Sequence, residues 1–367
     1  MSCNYLYIDD EEQDQVQQYV DALHKHKGLN IDRIKPGKFE ELIDKIIDLD
    51  PDGILIDWKL DGIPTGKGQY KAGTVAQELR TRSVENEALV KPIILISTDE
   101  KLQETYTKEG TSHDLFDFLY KKNEAVEKGE RVATELIGFA KSYNELREHR
   151  KKKNEINEIL ELEEKELLDS RIYSSFSTKG DSLKPVHEYA QFIINHLIRI
   201  PGPLIDEKTL ASRIGINIDE SKNWKKLREE HFDVFKFSGP FSGIWDRWWA
   251  QKLESWWYEM IEDSKPLQLL KASERIEHIK EKIGIEFTPC EPIEDNYGTE
   301  YWTICQVLGQ PLDPVDGFMI ESSKQFPWQE ELYVSKKSVI DRTYKAKGYS
   351  LHPMENERYY DLISDDE

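Results

Sequence analysis

Residues 53–60 read Gly-Ile-Leu-Ile-Asp-Trp-Lys-Leu. The apolar run at 53–56 is followed at once by an acidic side chain, Asp57. The run has the length and composition of a buried strand, and Asp57 follows where that strand is predicted to end. The turn sequence Asp-Pro-Asp-Gly at residues 50–53 leads directly into it. A carboxylate alone is a poor phosphate acceptor, so the residues that the fold brings to Asp57 decide what it can do.

Four other short apolar runs in the first third of the chain predict strands of the same sheet. Between the runs, apolar residues recur at the spacing of amphipathic helices, as in residues 42–47. Buried strands that alternate with such helices indicate a parallel sheet covered on both faces. The predicted strands are residues 5–8, 31–34, 53–56, 93–96 and 116–120.

Polar side chains follow or close these predicted strands. Asp9 and Asp10 follow the first, Ser97 follows the fourth, and Lys121 follows the fifth. In a parallel α/β sheet, ligands bind at the carboxyl ends of the strands, where the strand order reverses. The carboxylates of Asp9, Asp10 and Asp57 would repel one another unless a cation lay between them. Because all of their ligand atoms are oxygens, the cluster suits Mg²⁺. Lys121 and the Ser97 hydroxyl could then contact a phosphoryl group.

In order, spacing and strand context, residues 1 to about 123 resemble the receiver domain of two-component response regulators. The resemblance implies a flavodoxin-like fold with a five-stranded parallel sheet, Mg²⁺-dependent phosphorylation on aspartate, and a sensor histidine kinase as phosphoryl donor. By position, it implies that Asp57 is the phosphoacceptor, Asp10 a direct metal ligand and Asp9 a ligand through water.

The resemblance also implies roles for four further residues. The backbone carbonyl of Lys59 is a third metal ligand, and Ser97 is the switch hydroxyl, with Thr98 as the alternative if the register shifts by one. Lys121 is the site lysine. Phe118 lies at the aromatic position whose rotamer reports activation.

The sequence departs from the family pattern on both sides of the expected site. Lys122 stands where the family usually has a proline that is often cis. Residues 62–70 look inserted after the acceptor strand, and the stretch before residue 116 is also longer than usual. The insertions either alter phosphate lifetime and partner choice or are surface variation, and both interpretations stay open.

The whole chain has 367 residues and a net charge of -21, which predicts two domains and disfavours nucleic acids and anionic membranes as partners. No apolar stretch approaches the roughly 20 residues that a membrane helix needs. The three widely spaced cysteines, Cys3, Cys290 and Cys305, match neither a disulfide framework nor a metal motif. We therefore expect a cytoplasmic protein with reduced thiols.

Composition divides the chain into a receiver at 1–123, an extended helical connector at 124–173 and a C-terminal output domain at 184–363. The connector is rich in charged helix formers and is interpreted as a solvated spacer, although a homodimer through receiver or connector is the alternative. The output domain is expected to be mostly helical α+β.

Within the output domain, Ala211 and Gly215 are spaced as in a helix-turn-helix, which favours a winged-helix-like unit. Ser221, however, falls in the second helix where an apolar residue is expected. The tryptophan-rich residues 245–258 are interpreted as core, with an interaction surface as the alternative. We find no pair of a nucleophile and a general base in this domain that would indicate an enzymatic output.

Three functions remain open from the sequence. The first is a response regulator that signals through a C-terminal interaction domain. The second is a DNA-binding transcriptional regulator with winged-helix-like output, which a balanced charge in that segment disfavours. The third is a phosphate reservoir or adaptor without effector chemistry.

Overall fold

The structure is a computed structural model that describes residues 2–60, 70–102, 106, 112–163, 168–176, 184–261, 265–294, 296–322 and 325–364. The chain forms two compact units that alternate along the sequence. The first comprises Met1–Glu163, Tyr173–Asn195 and Ser238–Trp245, and the second comprises Glu164–Ile172, His196–Phe237 and Asp246–Glu367. These units differ from the predicted boundaries, because residues 124–163 lie in the first unit together with two segments from further along the chain.

The first unit is built on a five-stranded parallel sheet with strand order β2-β1-β3-β4-β5. This is the flavodoxin-like order, and the order reverses between β1 and β3. The predicted flavodoxin-like fold is confirmed. The strands are β1 (Cys3–Ile8), β2 (Leu29–Ile34), β3 (Gly53–Ile56), β4 (Ile93–Ser97) and β5 (Phe118–Lys121).

Helices with one apolar face cover this sheet. In α2, Leu42, Ile43 and Ile46 are buried, and the helix ends where Asp50 adopts a left-handed conformation ahead of β3. The helices and turns of residues 2–163 are α1 (Gln13–His24), α2 (Phe39–Leu49), α3 (Ala72–Arg82), α4 (Asp99–Lys101), α5 (Lys122–Glu127), α6 (Gly129–Lys152), α7 (Ile156–Ile159), and the 3-10 turns Glu87–Leu89 and His113–Leu115.

The structure differs from the predicted extended connector. Helix α6 buries a stripe of apolar residues that includes Leu136, Phe139 and Tyr143, and the Tyr5 hydroxyl of β1 donates to the Leu136 carbonyl at 2.7 Å. The helix ends at Lys153, which is left-handed, and the next apolar residues return to the core in α7. Burial of this stripe against the sheet outweighs the polar composition of the segment.

The rest of the described chain is largely helical with three short antiparallel strand pairs. The strand pairs are β6 (Leu204–Ile205) with β7 (Trp248–Trp249), β8 (Thr303–Ile304) with β9 (Pro311–Leu312), and β10 (Gly317–Met319) with β11 (Tyr333–Ser335). The helices are α8 (Ser170–Phe176), α9 (Val186–Phe192), α10 (Glu207–Ile214), α11 (Trp224–Leu227), α12 (Ala250–Met260), α13 (Ala272–Ile283), α14 (Lys336–Ile340), α15 (Thr343–Ala346) and α16 (Asn356–Ser364). Two π-helical segments, Ile193–Ile198 and Arg228–Phe232, and three 3-10 turns, Asp233–Phe235, Leu267–Leu269 and Pro353–Glu355, complete it.

The predicted turn after α10 is present, but the second helix begins later than expected. Gly215 is left-handed with φ of 85°, and a Cβ there would lie 2.8 Å from the Ala272 Cβ. Ser221 lies before α11, not within a helix, and its hydroxyl accepts from the Thr288 amide at 3.0 Å. The placement of Ser221 in a helix is therefore wrong, and a winged-helix-like unit stays a prediction.

Most of the tryptophans are core residues, although they do not share one helix. Helix α12 begins only at Ala250, so Trp248 and Trp249 belong to β7. Trp248 and Trp257 are fully buried in the second unit, whereas Trp245 packs within the first unit. Among the described helices, none is long and apolar enough to cross a membrane.

Candidate functional site

Asp57 lies at the carboxyl end of β3, at the point where the strand order reverses. Its amide donates to the Ile8 carbonyl of the neighbouring β1 at 3.0 Å, and its side chain is fully buried. Asp9 follows β1 and is also fully buried. Because β1 and β3 are parallel neighbours, the residues after them meet at one edge of the sheet.

Three carboxylates meet at this edge. One oxygen from each of Asp9, Asp10 and Asp57 lies within 4.8 Å of the others. The Asp9 carboxylate is held by the Tyr7 hydroxyl at 2.6 Å and by the Glu11 amide at 2.8 Å. These ligand atoms are all oxygens, and they fit a hard divalent cation such as Mg²⁺. Burial raises the pKa of Asp57, an effect that nearby lysines oppose.

Ser97 is the last residue of β4 and contacts Asp57 directly. Its buried hydroxyl donates to Asp57 Oδ1 at 2.8 Å. Thr98, the alternative, caps α4 instead, where its hydroxyl accepts from the Lys101 amide at 3.4 Å. The geometry therefore places the hydroxyl of Ser97 rather than that of Thr98 against the Asp57 carboxylate.

The lysine of the site is Lys122, and the assignment of Lys121 is wrong. Lys121 Nζ pairs with Asp99 at 2.8 Å, and its side chain is 43% exposed. Lys122 is 2% exposed, and its Nζ lies 2.8 Å from Asp9 Oδ2 and 3.6 Å from Asp57 Oδ1.

The reason for this error is the length of β5. The strand extends through Lys121, which pairs with Ser97 of β4, so the side chain that turns into the site belongs to the next residue. The interpretation of Lys122 as a residue in place of a proline depended on Lys121 as the site lysine, so it stays a prediction. In the described part of the chain every peptide bond is trans.

Phe118 packs on the α6 side of the sheet. Its ring centroid lies 5.7 Å from that of Phe139 and 5.6 Å from that of Trp245. The next residue of the strand, Leu119, packs on the core of the opposite face. A switching role for Phe118 stays a prediction.

The remaining expectations concern the segment after Asp57. Lys59 lies two residues beyond it, in an antiparallel bridge with Lys71, and its carbonyl as a third metal ligand stays a prediction. The inserted residues 62–70 lie outside the described residues except for Tyr70. The Tyr70 hydroxyl donates to the Gly37 carbonyl at 3.0 Å.

Two residues of the site were not predicted from the sequence. Lys101 Nζ lies 2.9 Å from Asp57 Oδ2 and 3.0 Å from Glu11 Oε1. Burial would raise the pKa of Glu11, but hydrogen bonds from Lys122 and Lys101 outweigh it and hold that pKa below its usual value. Two features of the sequence could have indicated these residues. The acidic run from Asp9 continues into Glu11, and Lys101 follows Ser97 by about one helical turn.

No protein-family profile matches the sequence, and comparison with curated proteins finds no significant match. Several solved structures are similar. A response regulator of Chloroflexus aurantiacus is 16% identical with a TM-score of 0.26, and the match covers 36% of this chain and 98% of that one. The receiver domain of NarL from Mycobacterium tuberculosis is 18% identical with a TM-score of 0.24, and the match covers 36% and 96%. The chemotaxis response regulator CheY4 of Vibrio cholerae is 14% identical with a TM-score of 0.25, and the match covers 36% and 99%.

These structures are described as response regulators or their receiver domains, and the N-terminal sheet of this chain has the flavodoxin-like strand order β2-β1-β3-β4-β5.

Proposed function

We propose that the protein is a response regulator of a two-component phosphorelay in which Asp57 accepts a phosphoryl group from a histidine kinase. The observation that supports this most is the environment of the Asp57 carboxylate. It is fully buried at the ligand-binding edge of the sheet, and a hydroxyl and two ammonium groups approach it. Two further carboxylates beside it complete a cation site.

In the proposed reaction, an Asp57 oxygen attacks the phosphorus of a phosphohistidine. The phosphorus–nitrogen bond breaks, its electron pair stays on the imidazole, and an aspartyl phosphate forms. Asp9, Asp10 and Asp57 would hold Mg²⁺, with the Lys59 carbonyl as a further ligand. The bound ion would neutralise charge on the phosphoryl oxygens.

The chain's own side chains orient the acceptor and the transferred group. Ser97 fixes Asp57 Oδ1, and its hydroxyl can turn to donate to a phosphoryl oxygen once Oδ1 no longer carries charge. Lys122 is held between Asp9 and Asp57, where its charge opposes the repulsion between the acids. The Ser97 and Lys122 side chains are buried, so water is excluded from the hydroxyl and from the ammonium group.

We further propose that residues 184–363 read the phosphorylation state through interaction with a protein or small ligand. A DNA-binding output is the second candidate, and the net charge of -21 disfavours it. Binding to DNA with a steep salt dependence would favour that candidate, and no retention on DNA at low salt would exclude it.

Intact-mass spectrometry after incubation with Mg²⁺ and acetyl phosphate tests the acceptor. We expect the native chain to gain one phosphoryl group and Asp57→Asn to gain none. Asp99→Asn is the matched control, because Asp99 is a neighbouring carboxylate that pairs with Lys121 outside the site. A phosphoryl group on Asp57→Asn, or none on the native chain, would contradict the proposal.

A further inference from the structure

Each oxygen of the Asp57 carboxylate has its own ammonium group. Lys122 Nζ lies 3.6 Å from Oδ1, and Lys101 Nζ lies 2.9 Å from Oδ2. The Glu11 carboxylate joins the two lysines, since its Oε1 is 3.0 Å from Lys101 and its Oε2 is 3.0 Å from Lys122. Asp57, Lys101, Glu11 and Lys122 therefore form a closed ring of alternating charge.

This ring differs from the ion pairs on the surface. The Lys101 and Glu11 side chains are 23% and 26% exposed, and Asp57, the second partner of Lys101, is fully buried. The Lys121–Asp99 pair close by in sequence is 43% and 52% exposed. Exposed ion pairs contribute little to stability because water screens their charges. A charge that faces a buried carboxylate is screened much less by water, so it interacts more strongly with that carboxylate.

The backbone holds both ends of the contact. The Lys101 amide donates to the Thr98 hydroxyl, which fixes the single turn of α4. The Glu11 amide donates to Asp9, and the Arg33 guanidinium donates to the Glu11 carbonyl. Glu11 thus stays in position to orient Lys101, whichever group the lysine contacts.

Phosphorylation would change what surrounds Lys101. An oxygen of Asp57 that becomes bonded to phosphorus loses its charge, and the phosphoryl group brings about two negative charges to the same place. The ammonium group then has a more highly charged acceptor within its reach. Lys101 keeps its proton throughout, so the transfer itself remains the exchange of one phosphorus bond for another.

We propose that Lys101, oriented by Glu11, is a second phosphoryl-binding residue, which approaches the group on Asp57 from Oδ2, whereas Lys122 approaches it from Oδ1. This rests on the proposed function of Asp57. It also implies competition, because the same ammonium group repels a divalent cation among Asp9, Asp10 and Asp57.

Two measurements on the full chain by calorimetry separate these effects. Beryllofluoride is an analogue of the phosphoryl group. In a titration at saturating Mg²⁺, we expect Lys101→Ala to bind beryllofluoride about tenfold more weakly than the native chain does. For Mg²⁺ alone, we expect Lys101→Ala to bind severalfold more tightly. Lys101→Arg, which keeps the charge, should restore most beryllofluoride affinity, and Glu11→Gln should lose part of it. Lys121→Ala is the matched control and should match the native chain in both.

The outcomes distinguish this inference from the proposed function. If the native chain is phosphorylated and Lys101→Ala matches Lys121→Ala, Lys101 is only an ion-pair partner, and the inference is overturned while the function stands. If the native chain neither gains a phosphoryl group nor binds beryllofluoride, both fail. Lys101→Gln provides the same comparison should Lys101→Ala not fold.

Discussion

Two buried charge clusters lie in the first unit, and their composition separates structure from chemistry. At one of them, Arg80 and Asp117 form an ion pair at 2.8 Å with side chains that are 4% and 0% exposed. Arg80 also donates to the Lys91 carbonyl, and Asp117 accepts from the Ile93 amide and the Tyr143 hydroxyl. The cluster thus contains one cation and one anion, and both the Arg80 guanidinium and the Asp117 carboxylate have further hydrogen-bond partners.

At the other cluster, around Asp57, acids outnumber bases. Four acidic side chains, Asp9, Asp10, Glu11 and Asp57, surround the two lysines of the site. A balanced buried pair is costly only when one partner is removed, but a buried excess of carboxylates favours a bound cation. The comparison predicts that removal of Arg80 affects mainly the stability of the fold, and that the excess of carboxylates around Asp57 favours a bound cation.

The largest effect should come from breaking the balanced pair. Arg80→Met leaves Asp117 buried without its charge partner, and we expect a loss of about 3–5 kcal/mol in the free energy of unfolding. Urea denaturation followed by circular dichroism measures it. Arg82→Met is the control on the same helix, since Arg82 pairs with partly exposed Glu78 and exposed Glu40. A loss for Arg80→Met no larger than for Arg82→Met would mean that the fold does not depend on the buried Arg80–Asp117 pair more than on an exposed one.

A smaller effect should come from the excess cluster, and it should appear in chemistry rather than stability. Lys122→Met should slow phosphorylation by acetyl phosphate on the order of a hundredfold, as expected for loss of a charge that faces the reacting group. Lys121→Met should react at the native rate, because its ammonium group pairs with Asp99. Rates from intact-mass time courses make the comparison. A slow Lys121→Met and a fast Lys122→Met would restore the original assignment.

The smallest effect concerns pH near the balanced pair. Burial, with a smaller contribution from Arg80, lowers the pKa of His187 from 6.5 to about 4, although Asp117 opposes the shift. The folded pKa lies below the unfolded one, so stability is unaffected above pH 6.5 and falls as pH drops from 6.5 towards 4. Partial exposure limits this loss to about 2 kcal/mol.

His187→Gln tests this shift by removing that part of the acid sensitivity. Thermal unfolding of both proteins between pH 7 and 4 should show curves that agree at pH 7 and diverge on the acid side. Parallel curves would show that His187 protonates equally in the folded and unfolded chains.

The sheet could be predicted because each strand combines an apolar run with a turn signal, as at residues 50–56. The position of Asp9, Asp57 and Ser97 followed from strand ends alone. The lysine could not be assigned, because β5 extends one residue further than its apolar run, and a shift of one residue moves a side chain to the opposite face.

Other features depend on long-range packing that local patterns do not contain. Lys101 reaches Asp57 across 44 positions of the sequence. Trp245 packs on Phe139 of α6 from a segment that sequence composition assigned to the output domain. In the second half, short strands and turns such as β8 and β9 have too few residues for a clear periodicity.

The most direct test of the central claim is to locate the phosphoryl group on the chain. Borohydride reduces an aspartyl phosphate to homoserine, and peptide mass spectrometry then identifies the modified residue. After phosphorylation by acetyl phosphate with Mg²⁺, the account predicts homoserine at position 57 and at no other aspartate. Conversion at a different aspartate, with Asp57 intact, would contradict it.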